Sequence, residues 1–254
     1  MQKDHPAFYF DELVTKARAV IRDQGVRILP IIDEKKRLVG VISRSEVMTV
    51  TSSISPIRVR GIMANPKFTV TLDMEATLAV RKMINIDEWY APVVNSLQDN
   101  TYAGVFGLEN FIETSLLKQS QKLAKPISKI ISTKVLTCTP DDEIDNIWRL
   151  MQEKSIAGLP VIKKDRLVGI LTQKNLLESG SVKLSFEASK GQFKTPPKVF
   201  SFMKTPVISL KTDSTILEAA QLMLKKDIGR IPITDKEDKL IGIVDREDIV
   251  KAIL

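Results

Sequence analysis

Ile228-Gly229-Arg230-Ile231-Pro232-Ile233-Thr234-Asp235, four polar residues, and then Leu240-Ile241-Gly242-Ile243-Val244-Asp245-Arg246-Glu247-Asp248-Ile249-Val250 make one legible unit. A proline sits in a first apolar run, a charged turn follows, and a glycine sits inside a second run. Two apolar runs split by turn residues predict a β-hairpin. Asp245 and Asp248, three residues apart, then start a short amphipathic stretch that reads as a helix.

The same pattern recurs along the chain, and internal repeats decide a fold before any local detail. Pro30, Pro92, Pro160 and Pro232 are separated by 62, 68 and 72 residues, and Gly40, Gly104, Gly169 and Gly242 follow them by 10, 12, 9 and 10. Upstream, Pro66 and Pro206 each precede their proline by 26 residues, and Lys134 holds that place in the third copy. Pro6 precedes Pro30 by 24, which makes copy one complete but two residues shorter.

Each copy opens on a β-rich run: Ala7 to Phe10, Phe68 to Thr71, Val135 to Thr137, Val207 to Leu210. A helix of 3.6-residue apolar period follows, with Phe10, Leu13, Val14, Ala17, Val20 and Ile21 in copy one and Ile144, Ile147, Trp148 and Met151 in copy three. Thr139-Pro140-Asp141-Asp142 has the order of a helix cap, proline at the first helical position, then early carboxylates. Gly25 reads as the stop of the first helix. After the hairpin comes a closing helix, as at Ser45 to Thr49. The unit is β-α-β-β-α, about 55 residues long. One such unit is too small to cover both faces of its sheet, so copies are expected to pair. The predicted fold class is α+β, with copies at 1–55, 56–118, 126–180 and 199–254. The stretch 181–198 reads as a linker rather than a fifth domain.

Composition narrows the chemistry. The chain has 254 residues, 43% hydrophobic and 27% charged, which is ordinary for a globular protein. No apolar run approaches the roughly 18 residues of a membrane span, and no secretory stretch is seen at the start. One cysteine, Cys138, excludes an intrachain disulfide and fits a reducing cytoplasm. With His5 the sole histidine, a Ser-His-acid triad, a Cys-His pair or a histidine metal site would all have to use that residue. Carboxylate or lysine chemistry stays open, but with the commonest acid–base residue nearly absent no catalytic activity, catalytic cofactor or metal site is expected. The net charge of +7 favours anionic partners but is scattered. Nucleic-acid binding is the alternative class, resting on pI near 9.3 and on residues such as Arg58 and Arg60. No helix-turn-helix, zinc motif or aromatic-basic RNA signature supports it.

The fourfold set resembles tandem CBS domains, paired as two Bateman modules. It is carried by Leu29 to Asp33, Leu159 to Ile162 and Ile231 to Asp235, and by Leu38 to Ser43, Leu167 to Thr172 and Leu240 to Asp245. The lead-ins Gly61 to Pro66 and Ser201 to Pro206 complete it. In copy number the chain is similar to the gamma subunit of AMP-activated protein kinase and to stand-alone prokaryotic four-domain proteins. The resemblance implies a non-catalytic regulator that binds AMP, ADP or ATP in clefts between paired domains. S-adenosylmethionine is the alternative ligand. A regulated protein partner and a homodimer are further expectations.

It also implies where a ligand would lie. In the family a Gly-hydrophobic-x-Thr/Ser-x-x-Asp segment ends the last strand and opens the last helix. A helix N-terminus offers unbonded N–H groups to a phosphate, a hydroxyl adds a hydrogen bond, and an aspartate accepts from ribose. The glycine would let backbone approach the ligand. Carried onto this chain, copy one supplies Arg27, Pro30, Ser43, Arg44 and Glu46. Copy three supplies Val135, Leu136, Gly158, Pro160, Thr172 and Asn175. Copy four supplies Val207, Ile208, Arg230, Pro232, Asp245, Arg246 and Asp248. Copy two has only Gly107 and Asn110 where hydroxyl and acid belong, and no copy keeps the hydroxyl together with the aspartate. Ser43-x-x-Glu46 is equally a capping box, and Thr172 and Asp245 are good caps with no ligand at all.

Overall fold

A computed structural model of the chain describes residues 1–50, 55–118, 121–179 and 197–254. Of the expected linker 181–198, only Pro197 and Lys198 fall within the described residues. The chain divides into two compact units, Met1–Phe111 with copy one and copy two up to the first turn of its closing helix, and Ile112–Leu254 with the rest of that helix and copies three and four.

In the first unit, copy one runs β1 (Phe8–Tyr9), α1 (Val14–Asp23), β2 (Ile28–Ile32), β3 (Leu38–Ser43) and α2 (Arg44–Thr49). Copy two runs β4 (Val70–Thr71), α3 (Ala76–Asn85), β5 (Tyr90–Val94), β6 (Tyr102–Gly107) and α4 (Leu108–Leu117). In the second unit, copy three has α5 (Ile144–Glu153), β7 (Gly158–Lys163), β8 (Arg166–Thr172) and α6 (Gln173–Ser179). Copy four has β9 (Leu210–Lys211), α7 (Ile216–Lys226), β10 (Arg230–Thr234), β11 (Leu240–Asp245) and α8 (Arg246–Ile253). The class is α+β, as expected.

The hairpin register repeats in all four copies. Pro30 lies opposite Val41, Pro92 opposite Val105, Pro160 opposite Ile170 and Pro232 opposite Ile243. Each ladder then shifts by a bulge one residue later. The turns explain the unequal proline–glycine spacings. Copy three turns on Lys164 and Asp165, both at positive φ (50° and 63°), the shortest connection a hairpin allows. Copy two turns over Ser96 to Asn100, with Asn100 at φ 52°.

Each unit is held together by an exchange of lead-ins. Gln2, Ala64, Ser132 and Lys204 each make an antiparallel bridge to the other copy of their pair, at Val105, Val41, Ile243 and Ile170 respectively. Ser132 N–H donates to Ile243 O (2.9 Å) and Ile243 N–H to Ser132 O (3.0 Å). The same two-way bonding joins Ala64 to Val41, Gln2 to Val105 and Lys204 to Ile170. Those four partners are the residues that face the prolines. Their N–H and C=O point away from the hairpin, so a proline without an N–H fits opposite them. Each unit is therefore a pseudo-two-fold pair.

All four bridging residues precede their own proline by 28 residues. Copy one is thus not shortened, and the counterpart of Pro66 and Pro206 is Asp4 rather than Pro6. The glycines also change meaning. A Cβ on Gly242 would lie 2.7 Å from Ser132 O, and one on Gly104, at φ +147°, would lie 2.6 Å from Gln2 O. On Gly40 and Gly169 it would meet Met63 Sδ (2.8 Å) and Met203 Sδ (2.9 Å). The close approach is by the partner copy's lead-in, not by a ligand.

Two local expectations differ. Thr139-Pro140-Asp141-Asp142 is a turn, with Thr139 N–H donating to Asp142 Oδ2 (2.7 Å), and α5 starts later behind Glu143. The β-rich openings shrink to two-residue strands, and Val135 to Thr137 lies outside any strand. There the first strand is replaced by a single bridge, Cys138 to Val161. The helix period holds: Val14, Ala17 and Ile21 are buried in α1, and Ile144, Ile147 and Met151 in α5, with Trp148 half-buried. Each such aliphatic side chain contributes about 1.5–3 kcal/mol when fully buried. Gly25, at φ +69°, ends the first helix as expected.

Candidate functional site in the paired clefts

In the second unit the hairpins bring four of the expected residues together. Gly158 begins β7 opposite Thr172 at the end of β8, and Arg230 begins β10 opposite Asp245 at the end of β11. Arg230 Nη1 donates to Gly158 O across 3.0 Å, joining copy four to copy three. Gly158 makes room for this: a Cβ there would be 3.0 Å from Thr172 Cγ2 and 3.5 Å from Arg230 Cδ. The arginine's charge also reaches Asp245 and favours its ionised form.

Asp245 and Asp248 form a capping box at the start of α8. Asp245 Oδ1 accepts from Glu247 N (2.9 Å) and Asp248 N (3.1 Å), and Asp248 Oδ2 accepts from Asp245 N (2.9 Å). The usual hydroxyl is here a second carboxylate, so two acids share one small buried space. Burial raises the proton affinity of Asp245. Burial, and then the charge of Asp245, push Asp248 up to about 7. The other three copies close the same way with less charge. Ser43 pairs with Glu46 (Ser43 N–H to Glu46 Oε2, 2.6 Å), Gly107 with Asn110 (2.9 Å), and Thr172 with Asn175 (3.0 Å). The bond from the capping residue's N–H to the side chain three residues on is present in all four copies, and in copy two, where Gly107 has no side chain, it stands alone.

Arg44 and Arg246 stand elsewhere than expected. Arg246 is buried (1% exposed) and its Nη2 donates to Asp227 Oδ1 (3.0 Å) at the left-handed end of α7. Arg44 Nη2 donates to Gly25 O behind α1. Gln173 reaches Ile156 O from the same position in copy three (3.4 Å). In these three copies the first residue of the closing helix turns under the C-terminal end of the long helix, where a cation also suits the helix dipole. Both guanidinium groups are thereby bonded within their own copy, to Gly25 O and to Asp227.

Of the remaining expected residues, Pro30, Pro160 and Pro232 are buried mid-strand, Val207 and Ile208 are half-buried, and Leu136 is 44% exposed beside Val135. In the first unit Arg27 lies over the Tyr90 ring, 5.7 Å from its centroid. Tyr90 occupies the position of Arg230 and Ile28 that of Gly158. Ile28 O is met by His5 Nε2 (2.9 Å), while His5 Nδ1 faces Gln2 Oε1 (3.1 Å) and Gln2 Nε2 donates to Glu109 Oε1 (2.9 Å). This chain of polar groups was not among the expectations from sequence, where His5 figures only as the sole histidine. The signal was available: His5 has the same 25-residue offset from Pro30 that Val135 and Val207 have from Pro160 and Pro232. Burial lowers the proton affinity of His5, against the Ile28 carbonyl and Glu109, which raise it.

Among the described residues no three His, Cys, Asp or Glu side chains are grouped to hold a metal, and no helix is long and apolar enough to cross a membrane.

Paired β-α-β-β-α repeats with exchanged lead-ins define a Bateman-type module, here present twice. The CBS domain family model matches residues 1–53, 127–181 and 199–254, and the chain belongs to that family. Copy two, where Gly107 and Asn110 replace hydroxyl and acid, lies outside the matched residues but has the same fold. The chain is 23% identical to uncharacterized protein MJ1225 of Methanocaldococcus jannaschii over 94% of its own length and 91% of that protein. The crystal structure of MJ1225, described as a candidate archaeal homologue of g-AMPK, superposes with a TM-score of 0.87 at 22% identity, covering 100% of this chain and 98% of that one. An uncharacterized conserved protein from Pyrococcus horikoshii gives a TM-score of 0.64 at 20% identity over 90% of this chain and 91% of that one. The inosine-5'-monophosphate dehydrogenase of M. jannaschii is 34% identical over 50% of this chain, which spans only 23% of that enzyme.

Proposed function

We propose that the protein is a non-catalytic sensor that binds an adenosine ligand, AMP, ADP or ATP, in the cleft between paired copies, foremost in the second unit. The observation that carries this is the Arg230–Gly158 bond between copies three and four, beside Thr172 and the Asp245–Asp248 cap. In this reading Arg230 offers a cation, the strand edges their carbonyls, Thr172 a hydroxyl and Asp248 a carboxylate to accept from ribose. A ligand touching both would favour one relative arrangement of the pair, and that bias is the signal passed to a regulated protein or to a second copy of the chain. The family membership supports the reading; the scarcity of histidine and cysteine supports a regulator over an enzyme. A cytoplasmic site of action fits the single buried thiol, whose burial pushes it up to about 12.

A second reading, an adenosyl metabolite without phosphate such as S-adenosylmethionine, is favoured by one residue. Asp245 places a carboxylate where a phosphate would approach α8.

The test is a calorimetric titration and thermal melt with ATP, ADP, AMP, adenosine and S-adenosylmethionine. At 100 times the dissociation constant a ligand adds about 2.7 kcal/mol of stability. For a chain of this size that is a rise of roughly 5–11 °C. No heat and no shift with any of the five would reject the proposal.

A further inference from the structure

The four closing helices begin behind four different capping residues. The residue that ends the second hairpin strand and caps the helix is Ser43, Gly107, Thr172 or Asp245. Three copies carry a neutral group there, and copy four carries an acid. Asp245 is not turned away from the helix: its Oδ1 accepts from Glu247 N and Asp248 N, the N–H groups that an anion at α8 would use. Copy four thus contains its own anion. A second carboxylate, Asp248, is folded onto the Asp245 N–H.

The charges around the pair come from two elements. From β10, Arg230 faces Asp245. From α8 itself, Glu247 and Lys251 pair with each other at 2.6 Å and act on the two aspartates as opposite charges. With every group ionised the set is three acids against two bases. An anionic ligand entering beside it has one arginine to meet, and that arginine already balances Asp245.

We infer that Asp245 sets the ligand charge accepted by the copy-four end of the cleft, so that an anionic adenosine ligand binds there only together with a proton taken up by the Asp245–Asp248 pair. This rests on the adenosine reading proposed above and names its regulation. The sign follows from linkage. A negative ligand raises the proton affinity of both carboxyls, the complex then holds more protons than the free protein, and affinity rises as pH falls. The free pair already holds its proton reluctantly near neutrality, Asp248 at about 7, so uptake is readable just above that pH. A ligand without negative charge, such as adenosine, takes up fewer protons, and a cationic adenosyl compound releases one.

The experiment uses the full chain and AMP between pH 7 and 8.5, where the AMP phosphate, with a second pKa of about 6, stays ionised. Titrations in two buffers of different ionisation heat give the protons bound per AMP, for wild type and for Asp245→Thr. Threonine keeps the cap, as Thr172 does in copy three, and removes the acid. Wild type should take up on the order of one proton at this site, with affinity falling up to about tenfold per pH unit. Asp245→Thr leaves Asp248 raised by its burial alone, so it should take up fewer protons and bind AMP more tightly at pH 8, with adenosine affinity changed much less. Equal proton uptake and equal AMP affinity in the two proteins would overturn the inference while leaving the adenosine reading standing. Absence of binding by AMP and adenosine to both proteins would remove the reading and the inference together.

Discussion

Gly242→Ala is the substitution that separates the two meanings of the repeated glycine. If the glycine admits the partner copy's lead-in, a methyl group there must move Ser132 backbone, since its carbonyl oxygen would be 2.7 Å from the new carbon and the Ile131 side chain is in the way as well. Both bonds between Ser132 and Ile243 (2.9 and 3.0 Å) depend on that position. Overpacking of this kind costs about 1–3 kcal/mol. Two weakened backbone bonds add about 0.5–1.5 kcal/mol each. The lost freedom of the unfolded glycine returns only about 0.4–1 kcal/mol. The expected net loss is about 1–6 kcal/mol, a fall in melting temperature of roughly 2–22 °C. Gly61→Ala is the control: its Cβ would meet only Ile57 Cγ2 at 3.6 Å, so its stability should stay within about 0.5 kcal/mol of wild type. Urea and thermal melts followed by circular dichroism read both. A Gly242→Ala protein as stable as wild type, but unable to bind ligand, would refute the lead-in account and restore the glycine to the ligand.

Two other outcomes follow from side chains that the hairpins leave behind. Arg246→Ala should lower stability by about 2–4 kcal/mol, through the lost packing and the lost Asp227 bond, without weakening AMP at saturating stability. Loss of affinity in a folded variant would show that the guanidinium serves the ligand after all. His5, as the sole histidine, gives unambiguous imidazole signals in a pH titration by NMR. Its folded-state pKa lies below the ordinary 6.5 because burial disfavours the cation. Its contribution to stability is therefore fully present above that value and is lost as pH falls through the folded pKa. A titration at or above 6.5 would contradict the buried placement beside Ile28 O.

The hairpins, the pairing of copies and the closing helices were legible because they depend on side-chain pattern. Prolines, glycines and apolar periods mark them in every copy. The lead-in exchange was not legible, because Gln2, Ala64, Ser132 and Lys204 act through backbone N–H and C=O, and no side-chain type records that. Its only trace is the constant offset of 28 residues. The candidate site divides along the same line. Gly158, Thr172, Arg230, Asp245 and Asp248 stand at strand ends and helix caps, positions that spacing predicts, and they come together. Arg44 and Arg246 occupy the next residue along, where spacing is equally exact but the direction of the side chain depends on what lies beneath the long helix. Asp227 and Gly25 O lie there, and they take both guanidinium groups.

The most direct measurement is a crystal structure of the full chain grown with AMP. Density for the nucleoside is expected in the second unit, its ribose within hydrogen-bond distance of Asp248 and its phosphate nearest Arg230. A well-ordered second unit with no density between Gly158 and Asp248, at AMP concentrations that saturate the calorimetric signal, would contradict it.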